Sequence, residues 1–469
     1  MQHKLLTPAL LVLALLAGAC TGVPGPVSAP PAPQAAVAMP DSFSAGVASG
    51  VLQSGGNAVD AAVAVAFSLA VTYPEAGNIG GGGFMLAWVN GEAAFMDYRE
   101  TAPAAASRDM YLDARGEVIE DSSLTGHRAV GVPGTVAGLW EAHRRYGRLE
   151  WKDLLQPAID LAEHGFLVPA QLEDRVREEA PRTGQAAGFS KYFGGLRGDA
   201  VFRQPDLAAV LRRVQAQGRD GFYRGETARL IADEMSRGGG LITQKDLEDY
   251  RPVWRKPLRA RWRGYEVLTA PPPSSGGIAV VQLLQMKDLL ARGFEGLAHN
   301  SPQYVHLTAE MEKRVFADRA EYLGDPDFVR VPVAALLAED YLAGRARSVD
   351  PDAISPLASV RPGLESRDTT HFSIVDRWGN AVANTYTLNT SFGSGVVVEG
   401  GGFLLNNEMD DFSIKPGQPN YYGVVGSVAN EVQPGKRMLS SMPPTVLLED
   451  GRVRMVLGSP GGSTIITSV

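Results

Sequence analysis

The sequence runs to 469 residues, 45% hydrophobic and 20% charged, which is too apolar a balance for a disordered chain. Lys and Arg number 44 against 52 Asp and Glu, a formal charge of −8, and no long stretch is basic enough for a nucleic-acid binder. The single cysteine, Cys20, excludes an internal disulfide framework and any cysteine-based zinc site.

Residues 1–19 read as a secretory signal peptide: a basic start at Lys4, an apolar run Leu5–Leu16, then the small residues Ala17-Gly18-Ala19. The run is too short to span a bilayer. Two processing routes fit. Ala17-x-Ala19 suits ordinary cleavage, and small residues directly before the only cysteine suit lipoprotein processing, which acylates Cys20; the lone cysteine favours the second. Residues 20–40 are rich in Pro and Ala and read as an extended tether. The expected location is therefore periplasmic or in the cell envelope, and the second route would add membrane anchoring by lipid at Cys20.

Length alone allows about three domains at ~150 residues each, although large α/β enzymes often use fewer. Asp41–Tyr73 looks helical, and Asn57 is a natural N-cap for the Ala- and Val-rich run behind it. That run is apolar nearly all round, which predicts burial in a large core. Glycines 77 and 80–83 then lead into strand-like runs, Phe84–Val89 and Ala93–Tyr98. The middle of the chain carries helical patterns at Gly138–Tyr146, Trp151–His164 and Pro302–Tyr322, broken by Pro271–Gly277. From Thr369 the texture changes to short strands separated by Gly and Asn turns. Helices around strands with a β-rich final third predict a layered α+β or α/β enzyme.

Familiar catalytic signatures are absent: G-x-S-x-G, H-E-x-x-H and G-x-x-x-x-G-K-[ST]. The glycine run from Gly80 lacks dinucleotide-binding spacing. His3, His127, His143, His164, His299, His306 and His371 do not pair at metal-ligand spacing, so neither a metal nor a cofactor is expected.

The informative segment is Asp368–Asp376, which alternates like a strand, turns at Arg377-Trp378-Gly379 and returns along Ala381–Asn389. Pairing symmetric about Trp378 places Thr369 opposite Thr387, and a period of two puts Thr385, Thr387 and Asn389 on the face of Thr369. A structural Thr–Thr ladder has the same pattern. Downstream, Leu439–Pro444 precedes a hairpin, Thr445–Leu448 with Val453–Leu457, that ends at Gly458–Thr464. Paired glycines there can expose consecutive N–H groups to an oxyanion, or can simply permit a tight turn. The acidic cluster Asn406–Asp411 can hold an ammonium or face water.

Together these residues resemble the γ-glutamyltransferase (glutathione hydrolase) family of N-terminal nucleophile hydrolases. The matching stretches are Gly77–Met85, Asp97–Pro103, Gly131–Thr135, Pro272–Gly277, Thr369–Asp376, Thr387–Asn389, Leu405–Phe412, Lys436–Pro444 and Gly458–Thr464. Their ordered combination is specific where any one glycine motif is not.

The resemblance implies a four-layer αββα sandwich and a precursor that cuts its own Asp368–Thr369 bond by an N-to-O acyl shift. Residues 41–368 would then form a large subunit and 369–469 a small one, a heterodimer from one chain. The small subunit looks shortened, because family chains ordinarily continue well beyond Gly462. Scission frees an α-amine beside the Thr369 hydroxyl, a base whose reference pKa of about 8 suits neutral pH. By the same resemblance Thr387 orients that hydroxyl, and Arg99 with Ser440 and Ser441 grips the substrate α-carboxylate. Asn389, Glu408 and Asp411 receive the α-ammonium, and Gly461 and Gly462 donate to the oxyanion. Residues Pro416–Ser427 resemble a lid, with Tyr422 latching to Asn389. Substrates would be glutathione and related γ-glutamyl compounds, and acyl acceptors water, amino acids or peptides. Two other readings compete: a cephalosporin, glutaryl or poly-γ-glutamate acylase on the same scaffold, and a non-maturing surface lipoprotein with a binding or structural role.

Overall fold

Every residue of the apolar run Ala58–Thr72 is buried in a single helix. Its start is closed by a capping box: the Asn57 side chain accepts from the Val59 and Asp60 N–H groups, and Asp60 accepts from the Asn57 N–H at 2.9 Å. This computed structural model describes residues 35–186, 188–356 and 369–469. The leader, Cys20 and Asp368 lie outside the described residues.

A six-stranded antiparallel sheet runs in the order β1 (Ala36–Ala38), β9 (Thr370–Val375), β10 (Ala381–Thr387), β2 (Gly82–Val89), β3 (Glu92–Asp97) and β6 (Val253–Arg255). A four-stranded sheet runs β12 (Arg452–Leu457), β11 (Thr445–Glu449), β8 (Tyr265–Thr269) and β7 (Leu258–Trp262). The two short strands β4 (Phe166–Leu167) and β5 (Val201–Phe202) pair apart from both.

Strand alternation sorts side chains between two cores. Phe84, Leu86 and Trp88 of β2 pack with Leu268, Val446 and Leu448 of the second sheet. Their neighbours Met85, Ala87 and Val89 point the other way, against the helix Ala58–Thr72 and the helices Thr135–Tyr146 and Trp151–His164. Beyond the second sheet, the helices Gly276–Leu289, Pro302–Tyr322 and Glu339–Arg347 share a further core through Met286, Met311 and Leu342. Helices, sheet, sheet, helices make four layers, the αββα sandwich. Residues 35–469 cluster as one compact unit, where length alone allowed three.

The β9–β10 hairpin has the register read from its turn. Val375 pairs with Ala381 and Thr370 with Tyr386, a pairing centred on Trp378 that carries Thr369 to the level of Thr387. Asn389 departs from the pleat, with φ of +82° just beyond the strand. Glycines serve close approach at the neighbouring strand: a Cβ on Gly81 would sit 2.1 Å from the Thr387 carbonyl oxygen.

One boundary needs correction. The Pro/Ala-rich segment expected as tether to residue 40 enters the fold earlier, because Ala36–Ala38 pair with Val375–Ser373 and cover the edge of β9. Composition hides this, since the partner strand is remote in sequence and supplies the hydrogen bonds.

Candidate active site

Thr369 stands at the start of β9, on the face of the large sheet that meets the small one. Two residues on, His371 faces the same way and is fully engaged, Nδ1 with Thr385 Oγ1 at 2.8 Å and Nε2 with Ser373 Oγ at 3.0 Å. Burial pushes its pKa down to about 3, so the ring is neutral and serves the sheet. Thr387 is buried, and its Oγ1 accepts the N–H of Asn389 at 2.8 Å.

A small cavity of about 20 Å³ opens beside Thr369. Its wall brings together Thr387, Asn389, Arg99, Glu408, Asp411, Ser440, Ser441, Tyr422 and Gly462, residues from segments far apart in sequence. Gly461 lines the adjoining cavity, which Thr369 also borders, so each glycine shares a cavity with the threonine. Both glycines have positive φ, +131° and +55°, which only glycine adopts readily.

Arg99 is placed by the end of β3. Asp97 Oδ1 accepts its N–H at 3.0 Å, and the Tyr250 hydroxyl donates to its carbonyl at 2.9 Å. Its guanidinium is 1% exposed and meets three carboxylates: Glu408 at 2.6 Å, Asp411, and Glu100 at 3.8 Å. Nε donates to the Met438 carbonyl at 3.3 Å. Burial pushes Glu408 well above its ordinary range, against the pull of Arg99. Burial likewise raises Glu100 to about 8, and among the described residues neither Glu100 oxygen has a hydrogen-bond partner. The acidic cluster is therefore inside the protein, not on a water-facing loop.

Ser440 and Ser441 line the same cavity as Arg99, and their hydrogen bonds run to other partners. Ser441 Oγ accepts instead from Arg319 Nη2 at 3.3 Å, and Ser275 Oγ accepts from Arg319 Nε at 3.1 Å. Ser275 in turn donates through both Oγ and N–H to the Ser440 carbonyl, each at 2.7 Å, so the Pro271–Gly277 break clamps the serine pair. Arg319 went unread in the sequence. It sits in the helix Pro302–Tyr322 among other basic and acidic residues, and no local spacing singles it out.

The segment Pro416–Ser427 folds over the cavity. Asn420 Oδ1 accepts from the Tyr422 and Val424 N–H groups at 3.1 and 3.0 Å, and Pro419 bridges to Val425. Tyr422 is buried while Tyr421 stays half exposed. The segment is tied to the floor by Asp410, whose Oδ2 accepts the Tyr421 N–H at 3.1 Å and whose Oδ1 accepts the Ser123 hydroxyl at 2.7 Å. Burial raises Asp410 to about 7.

The family profile described as Gamma-glutamyltranspeptidase matches residues 44–469. The chain belongs to the γ-glutamyltranspeptidase family. Over 435 residues it is 59% identical to the glutathione hydrolase proenzyme of Pseudomonas aeruginosa, covering 92% of this chain and 78% of that one. Among solved structures, the γ-glutamyltranspeptidase from Pseudomonas nitroreducens complexed with L-DON is 55% identical, with a TM-score of 0.69 over 70% of this chain and 98% of that chain. A cephalosporin acylase from Bacillus halodurans has a TM-score of 0.78 at 27% identity, covering 93% of this chain and 80% of that chain. This γ-glutamyltranspeptidase family member thus shares its scaffold with acylases and far more of its sequence with glutathione hydrolases.

Proposed function

We propose that the protein is a γ-glutamyltransferase and glutathione hydrolase that works through a γ-glutamyl ester on Thr369. The observation that carries this reading is the cavity: a threonine at one side, and arginine beside paired carboxylates within the same small space. An acyl group ending in an amino acid needs both charges recognised, whereas a plain acyl side chain needs neither. That weighs against the acylase reading.

In the precursor, Thr369 Oγ attacks the carbonyl carbon of residue 368. The C–N bond breaks, an ester forms, and water releases it, leaving a free α-amine on Thr369. In the mature enzyme that amine takes the hydroxyl proton while Oγ attacks the γ-carbonyl of the substrate. Gly461 and Gly462 stabilise the resulting oxyanion, each donor contributing about 3 kcal/mol. The intermediate collapses, the proton passes to the departing amine, and water or an acceptor amine then takes the acyl group. Thr387 positions the nucleophile, and Asn389, Glu408 and Asp411 take the ammonium. Ser440, Ser441 and Arg99 take the carboxylate, with Tyr422 closing over Asn389. Leaving group and acceptor use the adjoining cavity, past Gly461 and Thr464. Export, with or without acylation at Cys20, places the enzyme in the envelope.

A denaturing gel tests the scheme. The purified chain should give two bands, the smaller beginning at Thr369, and should release nitroaniline from γ-glutamyl-p-nitroanilide. Thr369→Ala should give one band and no turnover. An uncut chain with full turnover would refute the mechanism.

A further inference from the structure

The second cavity that Thr369 borders, with Gly461 in its wall, is the larger, at about 320 Å³. Among the described residues that line it, Arg175 is the one basic side chain and Glu75 the one acid. Arg175 is 42% exposed; its Nε meets Glu75 at 3.3 Å and its Nη1 meets Glu178 at 3.1 Å. The position is braced from behind. Arg182, seven residues along the helix Ala170–Thr183 and so on the same face, donates to the carbonyls of Ser391 and Gly393. Between those two, the Phe392 N–H donates to the Glu75 carbonyl at 2.9 Å. The loop that follows Asn389 thus holds both the helix that carries Arg175 and the acid that faces it.

With the γ-glutamyl half of a substrate beside Arg99, the amine bonded to its carbonyl has to extend from Thr369 into this second cavity. In glutathione that amine begins a dipeptide, and while the amide is intact the one charge of the dipeptide is its terminal carboxylate. At ~3.3–3.6 Å per residue an extended dipeptide reaches about 7 Å, a length that suits a cavity of this size. We infer that Arg175 binds the terminal carboxylate of the departing peptide and, by reversal of the same step, of a peptide acceptor. Glu75 holds the guanidinium over the cavity. Part-exposed ion pairs are weak, so an arriving carboxylate shares the guanidinium at little cost. In the return step the acceptor amine forms a C–N bond to the ester carbonyl. The C–O bond to Thr369 breaks, and the proton of the amine passes to Thr369 Oγ. The inference rests on the γ-glutamyl reading and deepens it by making Arg175 the specificity determinant for the peptide side.

The mature protein is tested with Arg175→Gln and Arg175→Lys. Two donors are compared by release of glutamate: glutathione, and glutathione whose terminal carboxylate is an amide. Wild type should favour glutathione in kcat/KM by roughly 3- to 10-fold, the size of one part-exposed charge pair. The preference should collapse toward unity in Arg175→Gln and recover in part in Arg175→Lys. It should also shrink in wild type as ionic strength rises from about 0.05 to about 0.5 M, because the pair is open to solvent. Both variants lose only part-exposed ion pairs, so they should mature and melt close to wild type. A wild type indifferent to the amide, an equal loss on both donors in Arg175→Gln, or a preference insensitive to salt would each overturn the inference. Failure of the wild type to turn over either glutathione or γ-glutamyl-p-nitroanilide would instead overturn the function on which it rests.

Discussion

Replacing Arg99 by Met tests the electrostatics of the site from the opposite side. The substitution removes one buried cation from among three carboxylates, with Glu408 at 2.6 Å and Glu100 at 3.8 Å. At an effective dielectric of about 20, charges ~4 Å apart attract by about 4 kcal/mol before desolvation is counted. Breaking a buried pair on one side costs about 3–5 kcal/mol in all. The pH dependence follows from Glu100. Its pKa in the folded protein is raised from 4.5 to about 8, so its contribution to stability is complete below about 4.5 and lost as pH rises through about 8. Without Arg99 the folded pKa climbs further, so the variant loses ground to wild type chiefly above pH ~8. Thermal melting of wild type and Arg99→Met at about pH 6 and about pH 9 reads this directly. The gap should lie near the lower end of the range at the first pH and widen at the second. A gap that is constant or narrows would refute the electrostatic coupling of Arg99 to Glu100. Arg319→Met is the natural control, a change of the same chemistry at a guanidinium that bonds to the hydroxyls of Ser275 and Ser441.

Gly81→Ala should act at a distance of one strand. Its Cβ would press on the Thr387 carbonyl and on Asn78 Oδ1, at 2.1 and 2.8 Å, an overpacking cost of about 1–3 kcal/mol. Displacing Thr387 should slow self-cleavage in a gel time course, and wild-type maturation with unchanged melting would refute this. Asp410 offers a second pH effect. Its pKa rises on folding from 3.8 to about 7, so its share of stability is complete below about 3.8 and lost as pH climbs through about 7. Asp410→Asn removes that loss, and the melting difference, variant minus wild type, should be more favourable at about pH 8 than at about pH 5. An equal difference at both would show that the carboxyl does not titrate as described.

The sequence was most readable where one local rule decides the outcome. A run with no polar face has to be buried, and Ala58–Thr72 is. A three-residue turn at Trp378 sets a register, and β9 and β10 keep it. It was least readable where the deciding partner is remote. Ala36–Ala38 is a strand only because the edge of β9 is there to receive it. Arg319 looks like any basic residue on a mixed helix, and its place in the site emerges only when Ser275 and Ser441, remote in sequence, are seen bonded to it. The resting alliance of Arg99 with Glu408 and Asp411 was equally hidden, because motif-level resemblance assigns residues to a ligand and says nothing of their bonds to one another.

The order of strands in the larger sheet bears on what self-cleavage can and cannot do. The hairpin that begins at Thr369 is threaded between β1 on one side and β2 on the other, both drawn from the N-terminal portion. Severing the backbone before Thr369 therefore yields two polypeptides that remain laced together by ladders along both flanks of the hairpin. Neither piece can drift off without unzipping the sheet, so the cut exposes a new chain end while the scaffold that aims it stays whole.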